Sequence, residues 1–362
     1  MDFLARQKRL RQHLATTRFG GLLISHLPNL RYLCGFTGSA GLLLVEESGS
    51  VFFTDVRYDI QAHEEVKGAK VVIARKSLFE AVADLLHSRR KRARAWDIGI
   101  EAEHFTIAEK KRLAKLLPSG VRLKDAPSIV ERERMIKDDA ELDCIRAAVA
   151  LGATLFDRAL KVLRSGVTEV EVAAEMELTA RRAGAEGMSF PTIIASGSRS
   201  ALPHGRASDQ AIAPGGFVVC DFGVILAGYC SDQTRTVWVG PRSEKACSAY
   251  EAVREAQQAG LDAVKPGVTT GEVDEAARKV LRKAQLGKYF THSTGHGVGL
   301  EIHEAPRVAS GQKTVLKPGM VITIEPGVYF PGKWGVRIED MVAVTESSCE
   351  VLTPTSKEFI AV

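Results

Sequence analysis

No apolar run in the sequence approaches the roughly 18 residues that a membrane-spanning helix requires, so a helical membrane protein is excluded. The opening segment, MDFLARQKRLRQHL, is charged where a secretory signal would be apolar, and it lacks a small-residue cleavage site. It reads instead as an amphipathic helix. CxxC pairs are also missing. The six cysteines, Cys34, Cys144, Cys220, Cys230, Cys247 and Cys349, are scattered along the chain. That argues against a disulfide scaffold or a thiolate zinc site, and for a reducing compartment. A cytoplasmic protein with no membrane partner is expected. The glycine-rich stretch Gly35-Phe36-Thr37-Gly38-Ser39-Ala40-Gly41 has neither GxGxxG spacing nor a Walker lysine, so it reads as a turn. The basic run Arg89–Arg94 contributes to a net charge of +5 but carries no interleaved aromatics. It is expected to be a solvated helix end, with no nucleic-acid partner.

What remains fits an ordinary globular enzyme: 362 residues, 45% hydrophobic and 26% charged. That length suggests two domains or one large one. In residues 1–128 the short apolar runs GGLLIS, GLLLV, VFFTD and KVVIA have strand length, and Leu78–Leu86 and Phe105–Leu117 have helical periodicity. The expected fold is an α/β domain, a sheet covered by helices. A loop signal at Asp125-Ala126-Pro127-Ser128 precedes a long helical pattern that starts near Asp138. The second domain is therefore taken as 129–362.

That second domain repeats itself. Gly166-Val167-Thr168 recurs as Gly267-Val268-Thr269, and the match runs on without gaps at Glu171/Glu272, Val172/Val273, Arg181/Arg282 and Ala183/Ala284. Further on, APGGFVVCDFGV (213–224) aligns with KPGMVITIEPGV (317–328), placing Asp221 opposite Glu325. Such repetition marks a duplicated supersecondary unit. Two related α+β halves meeting at a cleft, an internal pseudo-two-fold, are expected.

The second match carries the chemistry. Each half supplies a strand with an acid, a turn and a returning strand with another acid: Asp221 then Asp232, and Glu325 then Glu339 across a longer turn, Pro331-Gly332-Lys333-Trp334. Flanks such as VVCDF and VITIEPG read as buried, and buried acids are rare unless paired or metal-bound. Four close carboxylates cannot all ionise without cations. Carboxylates with one imidazole suit Mn²⁺, Co²⁺, Fe²⁺ or Zn²⁺. STGHGVGLEIHEAP adds His296 and His303 among glycines that permit close backbone approach, and His204 lies in a similar LPHG context in the first half.

The segments DFG (221–223), SDQTRT (231–236), GHGVGLEIHE (295–304), EPG (325–327) and VRIED (336–340) resemble the Xaa-Pro peptidases. These are aminopeptidase P and prolidase, of the pita-bread metallopeptidases. The resemblance extends over the whole chain, including an N-terminal creatinase-like α/β domain. It implies two divalent ions, Mn²⁺ foremost, with Co²⁺ or Zn²⁺ as alternatives. Asp221 would bind one ion, His296 and Glu325 the other, and Asp232 and Glu339 would bridge both. A bridging hydroxide would be the nucleophile, with Glu325 as proton shuttle. His303 would hydrogen-bond the scissile carbonyl, and His204 would help bind substrate or steady the leaving group. Arg337 and Thr234 would orient the ligand acids, and Arg307 would meet the substrate's carboxylate or its downstream backbone. A homodimer is implied as well.

The implied substrate carries proline at its second position. Proline has no N–H, so a cleft that bonds that group loses a contact. The motifs do not separate an aminopeptidase P, which releases the first residue of a Xaa-Pro peptide, from a prolidase restricted to Xaa-Pro dipeptides. FTGSAG and FFTDVRY favour aminopeptidase P. A methionine aminopeptidase would lack a comparable N-terminal domain. A catalytically silent binding protein of this fold, or the metal-free creatinase, would have lost ligand positions that are all present here.

Overall fold

A computed structural model describes residues 1–89 and 96–362, in two units, Met1–Arg134 and Met135–Val362. Residues 90–95, most of the basic run, lie outside the described residues. Arg89 pairs with Glu46.

In the first unit the chain runs α1 (Phe3–Ala15), β1 (Gly21–Ile24), α2 (Leu27–Cys34), β2 (Leu42–Glu46), β3 (Gly49–Asp55), α3 (Asp59–Glu65) and β4 (Lys70–Ala74). It continues through α4 (Leu78–Arg89), β5 (Trp96–Glu101), α5 (Ile107–Leu116), β6 (Val121–Ala126) and α6 (Ile129–Arg134). The six strands form one mixed sheet, ordered β4-β3-β2-β1-β5-β6. The expected α/β domain is therefore present. Its apolar strands β1 and β2 are buried along their whole length, as strands covered on both faces must be. β5 and β6 escaped the sequence pattern for local reasons. WDIGIE mixes acids and glycine into its apolar positions, and VRLKDA is largely exposed. Arg134, itself buried, donates to Asn29 at 2.8 Å, and Asn29 also bonds Glu101 and Glu131. This buried network ties α6 to the first unit and takes that unit to Arg134.

The second unit opens with α7 (Asp139–Val162) and α8 (Glu169–Arg182), then β7 (Gly187–Met188), β8 (Ile193–Ser196), β9 (Gly216–Phe222), β10 (Val224–Leu226), β11 (Tyr229–Cys230) and β12 (Gln233–Val239). It then repeats the plan with α9 (Glu244–Ala263), α10 (Thr270–Lys283), β13 (Gly295–Gly297), β14 (Glu304–Val308), β15 (Val321–Ile324), β16 (Gly327–Phe330), β17 (Trp334–Arg337), β18 (Asp340–Val344) and β19 (Cys349–Val351).

The repeated motifs now have physical reasons. Thr168 and Thr269 each cap a helix, and with Glu171 and Glu272 each closes a reciprocal capping box. Gly166 and Gly267 adopt φ of 89° and 88°, a left-handed conformation that a side chain resists. Each places its N–H on a strand-like partner, Ile212 at 2.9 Å in one half and Leu316 at 3.0 Å in the other. Among the described residues, no helix is long and apolar enough to cross a membrane.

Candidate metal centre

The four acids stand where their ladders end. In the first hairpin β9 pairs with β12, placing Asp221 opposite Thr234, and Asp232 sits one residue before β12 begins. In the second, β15 pairs with β18 through Ile324 and Asp340, and β16 with β17 through Gly327 and Arg337. Glu325 and Glu339 fall in the gap between those two ladders. There the backbone turns to other partners. Glu339 donates its N–H to the Thr234 carbonyl at 3.1 Å, and Glu325 donates to Thr294 at 2.8 Å, beside His296. Glu339 therefore lies on the seam where the two halves bond to each other, and the pairing of Arg337 with Asp221 crosses the same seam.

Asp232, His296 and Glu339 bring one ligand atom each within 4.8 Å of one another. Glu325 joins them, its Oε1 lying 3.7 Å from His296 Nε2, and Asp232 Oδ2 lies 3.5 Å from the same nitrogen. Asp221 is turned to Arg337, with which it forms an ion pair. Two carboxylate oxygens here, Asp221 Oδ1 and Asp232 Oδ1, are buried without a hydrogen-bond partner among the described residues.

The electrostatics run against an empty cluster of anions. Burial, then the charges of Glu339, Asp221 and Glu325, raise Asp232 well above the carboxylate range. Glu339 is raised by burial and by Glu325 and Asp221. Burial pushes Glu325 up to about 8, with Asp221 adding to the effect and Arg337 opposing it. His296 is lowered to about 4 by burial. Its Nδ1 lies 3.0 Å from the Gly297 carbonyl, which can only accept, so that nitrogen carries the proton. Nε2 is left as a bare lone pair facing two carboxylates. A lone pair and buried anionic oxygens repel one another unless a cation lies between them. The donor set, oxygen-rich with one imidazole, fits a divalent metal.

Arg337 organises the acids from one side. Its Nη2 reaches Asp221, its Nε donates to the Thr234 hydroxyl at 3.1 Å, and that hydroxyl donates to Glu339 at 2.7 Å. Nη1 donates to the Tyr329 hydroxyl at 2.6 Å and to the Pro203 carbonyl at 3.1 Å. Tyr329 in turn bonds His292 Nε2 at 2.9 Å. His292 Nδ1 faces the Ser293 carbonyl at 2.7 Å, so Nε2 is the acceptor and Tyr329 the donor. Burial, followed by the Arg337 charge, lowers His292 to about 3 and keeps it neutral in that role. Sequence reasoning missed His292 and Tyr329. The signal available was the position of His292, four residues before His296.

The other expected site residues lie nearby in differing degrees. The His303 ring stands edge-on to His296 with centroids 4.5 Å apart. Partial burial and the charge of His204 lower His303, and His204 also bears on His292. His204 is exposed. Arg307 is exposed too, on β14 directly across from His296, so both side chains leave the same face of the sheet.

Comparison with known proteins agrees with this arrangement. Residues 143–346 match Metallopeptidase family M24, and residues 6–136 match the creatinase/prolidase N-terminal domain. The chain belongs to metallopeptidase family M24. It is 36% identical over 357 residues to a Pyrococcus horikoshii protein named Xaa-Pro dipeptidase, covering 98% of each chain. The structure of a Bacillus anthracis protein named Xaa-Pro dipeptidase superposes with a TM-score of 0.95 at 38% identity, covering all of both chains. That of an X-Pro aminopeptidase from Thermotoga maritima superposes with a TM-score of 0.89 at 34% identity, covering 99% of this chain and 100% of the other. The second unit thus has the pita-bread fold of the M24 enzymes, and the chain is a metallopeptidase rather than a silent binding protein.

Proposed function

We propose that this M24 enzyme hydrolyses Xaa-Pro dipeptides. The observation that carries the reaction type is the cluster of Asp221, Asp232 and Glu339, all buried, with the partly buried Glu325 and His296, and with Nε2 of that histidine bare among carboxylates. The choice of a dipeptide rests on full-length similarity to two proteins named Xaa-Pro dipeptidase. This reverses the preference for aminopeptidase P drawn from FTGSAG and FFTDVRY. Those segments belong to the N-terminal unit, whereas every acid of the site belongs to the second. Release of the first residue from longer Xaa-Pro peptides is the second reading, supported by the likeness to the Thermotoga maritima X-Pro aminopeptidase.

In this reading Asp221, Asp232, His296, Glu325 and Glu339 hold two divalent ions, Mn²⁺ foremost and Co²⁺ or Zn²⁺ otherwise. Bound ions would supply Lewis-acid activation of water and of the scissile carbonyl. The remaining work falls to the chain. Glu325 carries a proton from water to the departing proline nitrogen. His303 donates a hydrogen bond to the carbonyl oxygen as negative charge develops on it. His204 steadies the leaving group. Arg337 and Thr234 fix the carboxylates of Asp221 and Glu339 in place. Arg307, across the strand from His296, pairs with the free carboxylate of the substrate. In a dipeptide that carboxylate belongs to the proline itself, next to the scissile bond, so a short reach suffices. The unit of function is a homodimer, which sedimentation would register as twice the chain mass.

Turnover of Ala-Pro against Ala-Pro-Ala by the Mn²⁺-loaded protein tests the reading. Cleavage of the dipeptide with little of the tripeptide is expected. Efficient cleavage of the tripeptide at its first bond would transfer the chain to the aminopeptidase reading.

A further inference from the structure

Arg235 and Asp340 follow Thr234 and Glu339 by one residue, so in extended chain they point to the opposite face, away from the acids. Both side chains are almost wholly buried and they pair at 2.6 Å. Arg235 uses its whole fork. Nη1 donates to the carbonyls of Thr234 and Glu339, one from each half of the unit. Nη2 donates to Asp340 and, at 2.6 Å, to the Thr355 carbonyl, while Nε reaches the Ser356 carbonyl at 2.9 Å. Asp340 Oδ2 accepts from Gln257 at 2.8 Å and lies 3.0 Å from Lys357 Nζ, which also donates to Gln257 at 2.9 Å. The segment 353–357 is fastened further where the Thr353 hydroxyl accepts from the Met341 N–H, Thr355 donates to Gln233, and Tyr250 donates to the Lys357 carbonyl.

One guanidinium nitrogen therefore holds the backbones of Thr234 and Glu339 together at the seam, and the segment behind it holds the guanidinium. We propose that residues 353–357 form a strap that positions the metal centre, with Lys357 acting through Asp340 and Arg235 to set the spacing between the Asp232 and Glu339 strands. Lys357 is a positioning residue and touches neither substrate nor ion. Metal affinity depends steeply on ligand spacing, and partners behind the ligands commonly govern it by 10- to 100-fold. A merely structural strap would change stability and leave the ligand geometry alone. This inference rests on the reading that the acids hold divalent ions.

The test uses the full chain, stripped of metal, as wild type, Lys357→Met and Lys357→Arg. Mn²⁺ affinity is read by calorimetry, and ligand geometry by the visible absorption of the Co²⁺-loaded protein. The Met variant keeps the side-chain volume and removes the charge. The strap predicts about a tenfold rise in Mn²⁺ Kd and altered Co²⁺ bands for Lys357→Met, with recovery in Lys357→Arg. Wild-type Kd and bands in Lys357→Met overturn it, even where the thermal midpoint falls. If Lys357→Met does not fold, Asp340→Asn, which keeps an acceptor for Arg235, answers in its place on the same two readouts. Wild-type protein that binds no Mn²⁺ overturns the metal reading itself, whereas wild-type binding with unchanged variants overturns the strap alone.

Discussion

The Thr234 hydroxyl donates to Glu339 at 2.7 Å while accepting from Arg337 Nε at 3.1 Å. A single buried oxygen thus ties an acid of the second hairpin to a residue of the first, and both to the arginine that pairs with Asp221. Thr234→Val keeps the shape and removes that oxygen. It leaves a buried donor and a buried acceptor without partners, a loss of about 1–3 kcal/mol. Mn²⁺ affinity and kcat should fall about tenfold, because the Glu339 carboxylate is freed to turn. Thr234→Ser, which keeps the hydroxyl, should stay near wild type. Urea unfolding and Mn²⁺ calorimetry on both variants check this. Equal losses in the two variants would count against the role given to the hydroxyl.

The raised carboxylates give the metal-free protein a pH dependence of definite sign. Asp232, Glu325 and Glu339 bind protons more tightly folded than unfolded, Glu325 up to about 8. Their contribution is present below the unfolded carboxylate range, about pH 4, and is lost as pH rises through their folded values. Glu325→Gln cannot titrate there. The stability of metal-free wild type relative to Glu325→Gln should therefore fall between about pH 5 and pH 8. Divalent cations replace the protons, so Mn²⁺ should raise the wild-type thermal midpoint more at the upper end of that range than at the lower. Thermal scans with and without chelator measure both effects. A relative stability that climbs with pH contradicts the assignment.

His303 and His296 touch ring to ring, yet their roles separate. His303→Ala removes a donor to the substrate carbonyl and should lower kcat by about 100-fold or more while the protein keeps its metal. His296→Ala removes a ligand and should lower metal content with activity. Metal analysis beside steady-state kinetics tells them apart. Loss of metal in His303→Ala would show that the ring contact, rather than the carbonyl bond, is what His303 provides.

Asp221 and Glu325 were legible because each stands in a segment that otherwise reads as buried, VVCDF in one half and VITIEPG in the other, and because the two segments repeat; Asp232 and Glu339 followed from the returning strand in each half. The positive-φ glycines and the Thr-Glu capping boxes explain why that repetition survives in the letters: each is a local backbone requirement. His292 and Tyr329 were not legible. Their roles come from the bond between them across 37 positions and from that of Tyr329 to Arg337, which no periodicity records. The same holds for Arg235 and Asp340, 105 positions apart, which appeared in the sequence only as neighbours of expected site residues. β5 and β6 were hidden by acids and glycine placed within strands that gain their stability from pairing.

The central claim is that the buried acids and His296 form a divalent-metal centre that cleaves the bond before proline. Ala-Pro hydrolysis by protein treated with chelator, then returned to Mn²⁺, tests it most directly, with Asp232→Asn alongside. The account predicts activity abolished by the chelator, restored by Mn²⁺ and absent from Asp232→Asn under both conditions. Activity that persists in the chelated protein, or in Asp232→Asn, would contradict it.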